Sequence, residues 1–262
     1  MKKYRLEVVL VLIWIVLAVV FGFYDLEISK NLVDQNSGWA KFLENYGMIP
    51  GLFIILSGIY ICYSFIKTKS DVWSYIQKIV FFLVSSGLIF YLFDILLDNI
   101  ASEHLFLFLI ISFSISIIIF ITLNKRNQVQ STIAIKYSKV VLGMALLGYV
   151  ICIQVVKTFW GRVRFRELDA AFSQFTPWYL PQGITGFDSF PSGHAAMGWM
   201  LLALLILISN KKEWVKYLAF LLIFIWEVVL ALSRVVIGAH YASDVLFGSY
   251  FIIISFIYFS KK

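Results

Sequence analysis

Apolar runs of about twenty residues recur along this chain, each long enough to cross the ~30 Å hydrocarbon core of a bilayer as a helix. Inside lipid such a run must satisfy its own backbone hydrogen bonds, which confines it to helices packed on one another. With 61% hydrophobic and 14% charged residues over 262 positions, the expectation is an all-α, polytopic transmembrane helical bundle. Six core-type helices or up to eight spans are expected, at roughly 6–24, 49–67, 77–96, 104–123, 139–157, 194–209, 214–233 and 243–260. The first follows Met1-Lys2-Lys3-Tyr4-Arg5 like a signal peptide, but its apolar stretch is long and no small-x-small site follows, so a retained helix is expected.

The charge pattern orients the spans. The net charge is +7, yet the basic residues sit in short clusters between apolar runs, as topology signals do, and nucleic acid is not the expected partner. With both termini cytoplasmic, clusters such as Lys2-Lys3, Lys67 and Lys69, Lys125-Arg126 and Lys211-Lys212 fall inside. Of the 22 Lys and Arg residues, seven remain outside: Lys30, Lys41, Lys157, Arg162, Arg164, Arg166 and Arg234. One membrane domain is expected over 1–262, with N-terminal spans in 1–138 and core helices in 139–262. Residues 24–48 read as an outer segment lying in the interface or packed on the bundle. Residues 158–190, with Trp160, Trp178 and Tyr179, form a second long outer connection whose aromatics suit headgroup depth. Cys62 and Cys152 fall in apolar segments and read as core thiols.

Three blocks in the second half carry chemistry. Lys157 precedes Arg164; Pro191-Ser192-Gly193-His194 opens a span; Ser233-Arg234 is followed by His240 and Asp244. The predicted topology sends all three to one end of the bundle. Ser192 is a good N-cap, a helix N-terminus binds phosphate through unpaired N–H groups, and Gly193 lets backbone approach an oxygen closely. His240 and Asp244 share a helix face, so a carboxylate can fix the ring tautomer and leave the other nitrogen free to attack. Gly238 permits a sharp turn before them. Lys157, Arg164 and Arg234 suit the oxygens of a phosphoryl group, and His194 is placed to protonate a leaving oxygen.

Each block has a plainer reading. The tetrad alone is an ordinary helix start, and the His–Asp pair alone is an interfacial pairing; the blocks gain weight together. Arg162 and Arg166 alternate with Arg164 and read as surface cations near lipid phosphates. Asp94 and Asp98 form an acidic pair at a helix end, with no histidine cluster beside them to suggest a metal. Glu227 falls mid-span, where a charge costs roughly 2.5–3.5 kcal/mol, and is expected to be protonated or paired. His104 reads as an interfacial residue.

The three blocks resemble the signature of the type 2 phosphatidic acid phosphatase family, which also includes vanadium haloperoxidases: Lys, six residues, Arg-Pro; Pro-Ser-Gly-His; Ser-Arg, five residues, His, three residues, Asp. Every fixed position matches except one, where Phe165 stands for proline. The resemblance implies His240 as nucleophile, Asp244 as its orienting partner, His194 as general acid, and Lys157, Arg164, Ser192, Gly193 and Arg234 as the phosphate-binding set. It implies no metal and no cofactor. It also implies a membrane lipid phosphate as substrate, with undecaprenyl pyrophosphate first, then phosphatidylglycerol phosphate or phosphatidic acid. The Lys-, Ile- and Phe-rich composition looks bacterial, which places the chain in a plasma membrane with the site facing outward. A lipid-linked phosphotransferase and a non-catalytic phospholipid-binding protein are the alternatives.

Overall fold

Segments that are apolar on every side form helices whose flanks suit lipid, and that is what this chain builds. The computed structural model describes residues 5–66, 72–97, 100, 104–125 and 131–262; Lys2, Lys3, Lys67, Lys69, Arg126 and Asp98 lie outside them. Among the described residues every regular element is helical. In chain order the α-helices are α1 (Arg5–Leu32), α2 (Gly38–Tyr46), α3 (Ile49–Ile66), α4 (Val72–Leu96), α5 (Leu105–Lys125), α6 (Thr132–Gly143), α7 (Val156–Trp160), α8 (Gly193–Trp199), α9 (Leu204–Leu207), α10 (Glu213–Val236) and α11 (Ala242–Ser260). A π-helical stretch, Met144–Val155, joins α6 to α7, so these three run on as one long element.

Among the described residues seven helical stretches are long and apolar enough to cross a membrane: Glu7–Leu32, Gly38–Phe65, Val72–Leu96, Leu105–Thr122, Thr132–Glu167, Glu213–Val236 and Ala242–Ser260. The eighth expected span, 194–209, is a shorter apolar stretch, Gly193–Leu207. It is interrupted by a 3-10 turn at Met200–Ala203. Its shortness has a physical reason. Packed against α3, α10 and α11, with Ala195, Ala196, Met197, Met200, Leu202 and Ala203 buried, it is bordered by protein and need not match the bilayer thickness. By contrast α1, α4, α5 and α10 leave rows of large apolar side chains exposed, such as Val16, Phe23, Trp73, Phe106 and Tyr217. Lipid covers such rows in a membrane protein.

The first long connection begins later than expected and packs on the bundle, one of the two readings of residues 24–48. α1 continues to Leu32, and α2 then lies against α10 with Ala40 and Leu43 buried while Trp39 and Phe42 face outward. Residues 24–48 are therefore a helix extension plus a short amphipathic helix docked on the bundle. The second connection is also fastened down. Trp160 Nε1 donates to the Trp178 carbonyl at 2.8 Å, and Trp178 Nε1 donates to the Ala18 carbonyl at 2.8 Å. Trp178 packs on Phe247, ring centroids 4.5 Å apart. Cys62 and Cys152 are free thiols, each only half-buried. Glu227 is buried and accepts from Ser249 Oγ at 3.2 Å.

Close helix contacts position the segments that carry the motifs. Gly248 of α11 lies directly under the Pro191-Ser192-Gly193-His194 turn, and a Cβ there would meet the Ser192 carbonyl oxygen at 2.3 Å. Gly87 of α4 has open space around it, with nothing within 4 Å. Overpacking against backbone forces the neighbour to move. Gly248→Ala is therefore expected to lower the thermal unfolding midpoint of the detergent-solubilised protein by several degrees, and Gly87→Ala to leave it in place or raise it. Equal midpoints for the two variants would contradict this packing.

Candidate active site

Three local devices bring the motif residues together. α7 ends at Gly161, whose left-handed φ of +63° turns the chain out of the helix just after Lys157. Ser192 caps α8, its side chain accepting from the Ala195 N–H at 3.4 Å, which sets His194 in the first turn. α10 ends in a tight turn in which the Arg234 carbonyl accepts from the N–H groups of both Ala239 and His240, at 3.1 Å each. Gly238 has φ +71° there. A Cβ on it would also sit 3.2 Å from that of Arg166. The turn feeds α11, where Asp244 closes a capping box by accepting from the Tyr241 N–H at 2.9 Å.

The outcome is a cavity of about 230 Å³ lined by His194, His240, Lys157, Arg164, Gly193 and Arg234, with Arg166, Glu44, Asp188, Gln154, Tyr149, Tyr91 and Met48 completing its wall. Six of the eight residues expected from the sequence thus face one space. The other two, Ser192 and Asp244, stand behind it: both are fully buried, and the Ser192 N–H donates to the Asp244 carbonyl at 2.9 Å.

His240 Nδ1 lies 2.6 Å from the Ser189 carbonyl oxygen and 3.6 Å from Asp244 Oδ2. A carbonyl only accepts, so Nδ1 carries the proton and Nε2 keeps its lone pair. The direct hydrogen bond to the ring is thus made by Ser189, a residue the sequence did not single out. Asp244 holds the same strand of chain from the side, accepting from Ser189 Oγ at 2.5 Å. His194 Nε2 lies 2.9 Å from the Glu44 carbonyl, so Nε2 donates there and Nδ1 is the nitrogen left for chemistry.

Arg162 and Arg166 depart from expectation. Arg162 is 1% exposed and donates through all three of its nitrogens. Its Nη1 donates to Asp244 Oδ1 at 2.5 Å and Ser243 Oγ at 2.8 Å, its Nη2 to Asp25 Oδ2 at 2.9 Å, and its Nε to the Thr176 carbonyl at 2.9 Å. The Tyr241 ring stacks on it at 3.9 Å. Asp25 also accepts from the Ser243 N–H at 3.0 Å. Arg166 donates to Glu44 Oε1 at 2.9 Å and faces the cavity, because a 3-10 turn at Phe165–Glu167 breaks the alternation of an extended chain. Phe165 begins that turn and packs on Phe172, centroids 5.6 Å apart.

The cage cations are only partly matched. Asp188 takes Arg164 Nη2 at 2.6 Å and lies 3.6 Å from Lys157 Nζ, whose hydrogen bond goes to the Asp188 carbonyl at 2.5 Å. Glu44 Oε1 takes Arg234 Nη2 at 2.9 Å. Arg234 is 2% exposed, and its Nε and Nη1, like Arg164 Nε, have no hydrogen-bond partner among the described residues. Buried donors left unpaired are costly, and an anion in the cavity would satisfy them. Four cations face two carboxylates on this wall, leaving an excess of two positive charges. Among the described residues no three His, Cys, Asp or Glu side chains come together as a metal site. A larger cavity, about 930 Å³, lies at the other end of α6 and α11 and contains none of these residues.

Residues 136–261 match the PAP2 superfamily. The chain is 34% identical over 97 residues to a lipid A 1-phosphatase of Rhizobium etli, covering 36% of this chain and 38% of that protein. It is likewise 34% identical over 97 residues to a lipid A 1-phosphatase of Rhizobium johnstonii, covering 36% of each. The match thus spans little more than a third of the length of these curated relatives. No solved structure matches the chain.

Burial lowers the pKa of His240 from the ordinary histidine value to about 4, with the Lys157 and Arg234 charges adding to the effect against the opposing pull of Asp244. The folded value lies below the unfolded one, so the neutral ring contributes stability that is present above about pH 6.5 and lost as pH falls toward 4. Ring NMR of the phosphate-free protein, which has three histidines, is expected to show His240 neutral and protonated on Nδ1 down to pH 5. A midpoint near 6.5 would contradict this environment.

Proposed function

Residues 136–261 are a PAP2 superfamily domain, and from that premise we infer that the protein is a membrane lipid phosphatase working through a phosphohistidine at His240. The observation that carries the reading is Arg234: a buried guanidinium with two unpaired nitrogens, opening on a cavity shared with two histidines and three further cations. A phosphate group supplies the acceptors and the negative charge that this wall lacks.

In the proposed sequence, the phosphoryl oxygens lie against Arg234, Arg164, Lys157 and the Gly193 backbone, with Arg166 reinforcing them. His240 Nε2 attacks phosphorus in line. As the N–P bond forms, the P–O bond to the leaving group breaks, and its oxygen takes a proton from His194 Nδ1. The incoming phosphate favours the doubly protonated form of His194 needed for this step, since an adjacent anion stabilises imidazolium. His194 Nδ1, now neutral, takes a proton from water, whose oxygen attacks phosphorus and frees phosphate from His240. The fixed cations stabilise the charge spread over the equatorial oxygens in both transition states. Ser192 holds the turn, and Asp244 holds the Ser189 segment that orients the His240 ring. No step calls for a metal.

The substrate is a lipid whose phosphate reaches the end of the bundle where the motifs converge. The charge bias of the loops supports placing that end on the outer face of a bacterial plasma membrane, with both termini cytoplasmic. The relatives act, by name, on the 1-phosphate of lipid A, which adds a sugar phosphate to the candidates undecaprenyl pyrophosphate, phosphatidylglycerol phosphate and phosphatidic acid.

Phosphate release by the purified protein, with EDTA present, tests the reading. Wild type is expected to release phosphate from at least one of these lipids, and His240→Ala to be slower by a factor of 10³ or more, as loss of a nucleophile implies. Turnover that survives the substitution, or that EDTA abolishes, would sink the mechanism; transfer of phosphate to an added lipid or sugar acceptor without free phosphate would favour a phosphotransferase.

A further inference from the structure

A second cavity, about 190 Å³, adjoins the phosphate cage. His194, Glu44, Met48 and Tyr91 line both spaces, while His240, Lys157 and Arg164 line only the first. Asn45, Asp94 and Ile95 are the walls the second space has to itself. In-line displacement puts the leaving oxygen opposite the nucleophile and beside the proton donor. If phosphate sits between His240 and His194, the far side of His194 is therefore where the rest of the substrate goes.

The chemistry of that far wall is selective. Asp94 Oδ1 already accepts from the Ile100 N–H at 3.0 Å, which fixes the carboxylate and leaves Oδ2 as an acceptor. Glu44 Oε1 accepts from Arg166 and Arg234, leaving Oε2 as another. Ionised carboxylates only accept, so a group seated here must bring donors. The prenyl-linked α-phosphate that leaves from a prenyl pyrophosphate brings acceptors and negative charge, which face two carboxylates. The ester-bearing glycerol of a diacylglycerol phosphate brings no donor beside the scissile oxygen. A ring carrying hydroxyl or amide N–H groups on the carbons next to the phosphate brings what the wall lacks, and the Asn45 amide and Tyr91 hydroxyl can pair with it in either sense.

We propose that this cavity, built by α2 and α4 around Asp94, is the leaving-group subsite and takes a hydroxylated, sugar-type group in preference to a prenyl phosphate or a diacylglycerol. The inference rests on the phosphatase reading above and places sugar-linked phosphates ahead of the undecaprenyl pyrophosphate expected from the sequence. Asp94, which the sequence presents as a plain helix end, becomes a specificity-determining residue.

The test measures kcat/KM for lipid A, undecaprenyl pyrophosphate and phosphatidic acid in matched mixed micelles, for wild type, Asp94→Asn and Tyr91→Phe. All three substrates are run on each preparation, so a partly misfolded variant lowers every rate together and leaves the ratios intact. Wild type is expected to prefer lipid A by tenfold or more, and Asp94→Asn to cut that preference about tenfold, the size of one hydrogen bond to a charged group. If Asp94→Asn does not fold, a smaller loss of preference in Tyr91→Phe carries the test. A wild-type preference for either other lipid, or an unchanged preference in the variants, would overturn the subsite. No phosphate from any of the three with wild type would overturn the phosphatase reading beneath it.

Discussion

One buried guanidinium organises the working end of this bundle. Arg162 binds Asp25 of α1, Asp244 and Ser243 of α11 and the Thr176 carbonyl of the long connection, using four of its five N–H donors. Removing one partner of such a group leaves an uncompensated charge and costs about 3–5 kcal/mol. Through Asp244 the same knot reaches Ser189 Oγ and the Ser192 N–H, and so both histidine-bearing segments. The catalytic geometry proposed for His240 and His194 therefore depends on an arginine that touches neither ring. It also depends on α1, which lies outside the PAP2 match at 136–261.

Another carboxylate plays the complementary part on the more exposed side. Glu44, delivered by α2, gathers Arg166 and Arg234 with its side chain and steadies His194 with its carbonyl. Asp188 does the same for Arg164. The cations are thus held in place before any phosphate arrives, yet Arg234 Nε and Nη1 and Arg164 Nε stay unpaired. Preorganised donors of this kind need little rearrangement when charge develops, which is where electrostatic catalysis gains most.

The parts legible in the sequence were those encoded by local spacing. Apolar length marked the helices, and the spacing of Lys157, Arg164, His194, Arg234 and His240 placed five side chains on one cavity. The partners that fix them were not legible, because they come from far along the chain: Asp25 lies 137 residues from Arg162, and Glu44 lies 190 from Arg234. An acidic residue inside an apolar run carries no mark of the cation it will meet. The alternation of Arg162 with Arg164 was read correctly as opposite directions, but away from the cavity meant into the protein and not toward lipid. Arg166 escaped the alternation through a 3-10 turn that a Phe-Arg-Glu triplet does not announce. The stretch expected at 194–209 is helical and apolar, Gly193–Leu207, but shorter than the other spans.

The proposed chemistry turns on a covalent bond between phosphorus and His240 Nε2. Rapid mixing of the protein with a ³²P-labelled lipid substrate, quenched in alkali within one turnover and mapped by mass spectrometry, tests it directly. A base-stable, acid-labile label is expected on the peptide that contains His240, appearing before free phosphate and absent from lysine or carboxylate peptides. Label on another residue, or phosphate released in a first turnover with no protein-bound phosphorus at all, would contradict it.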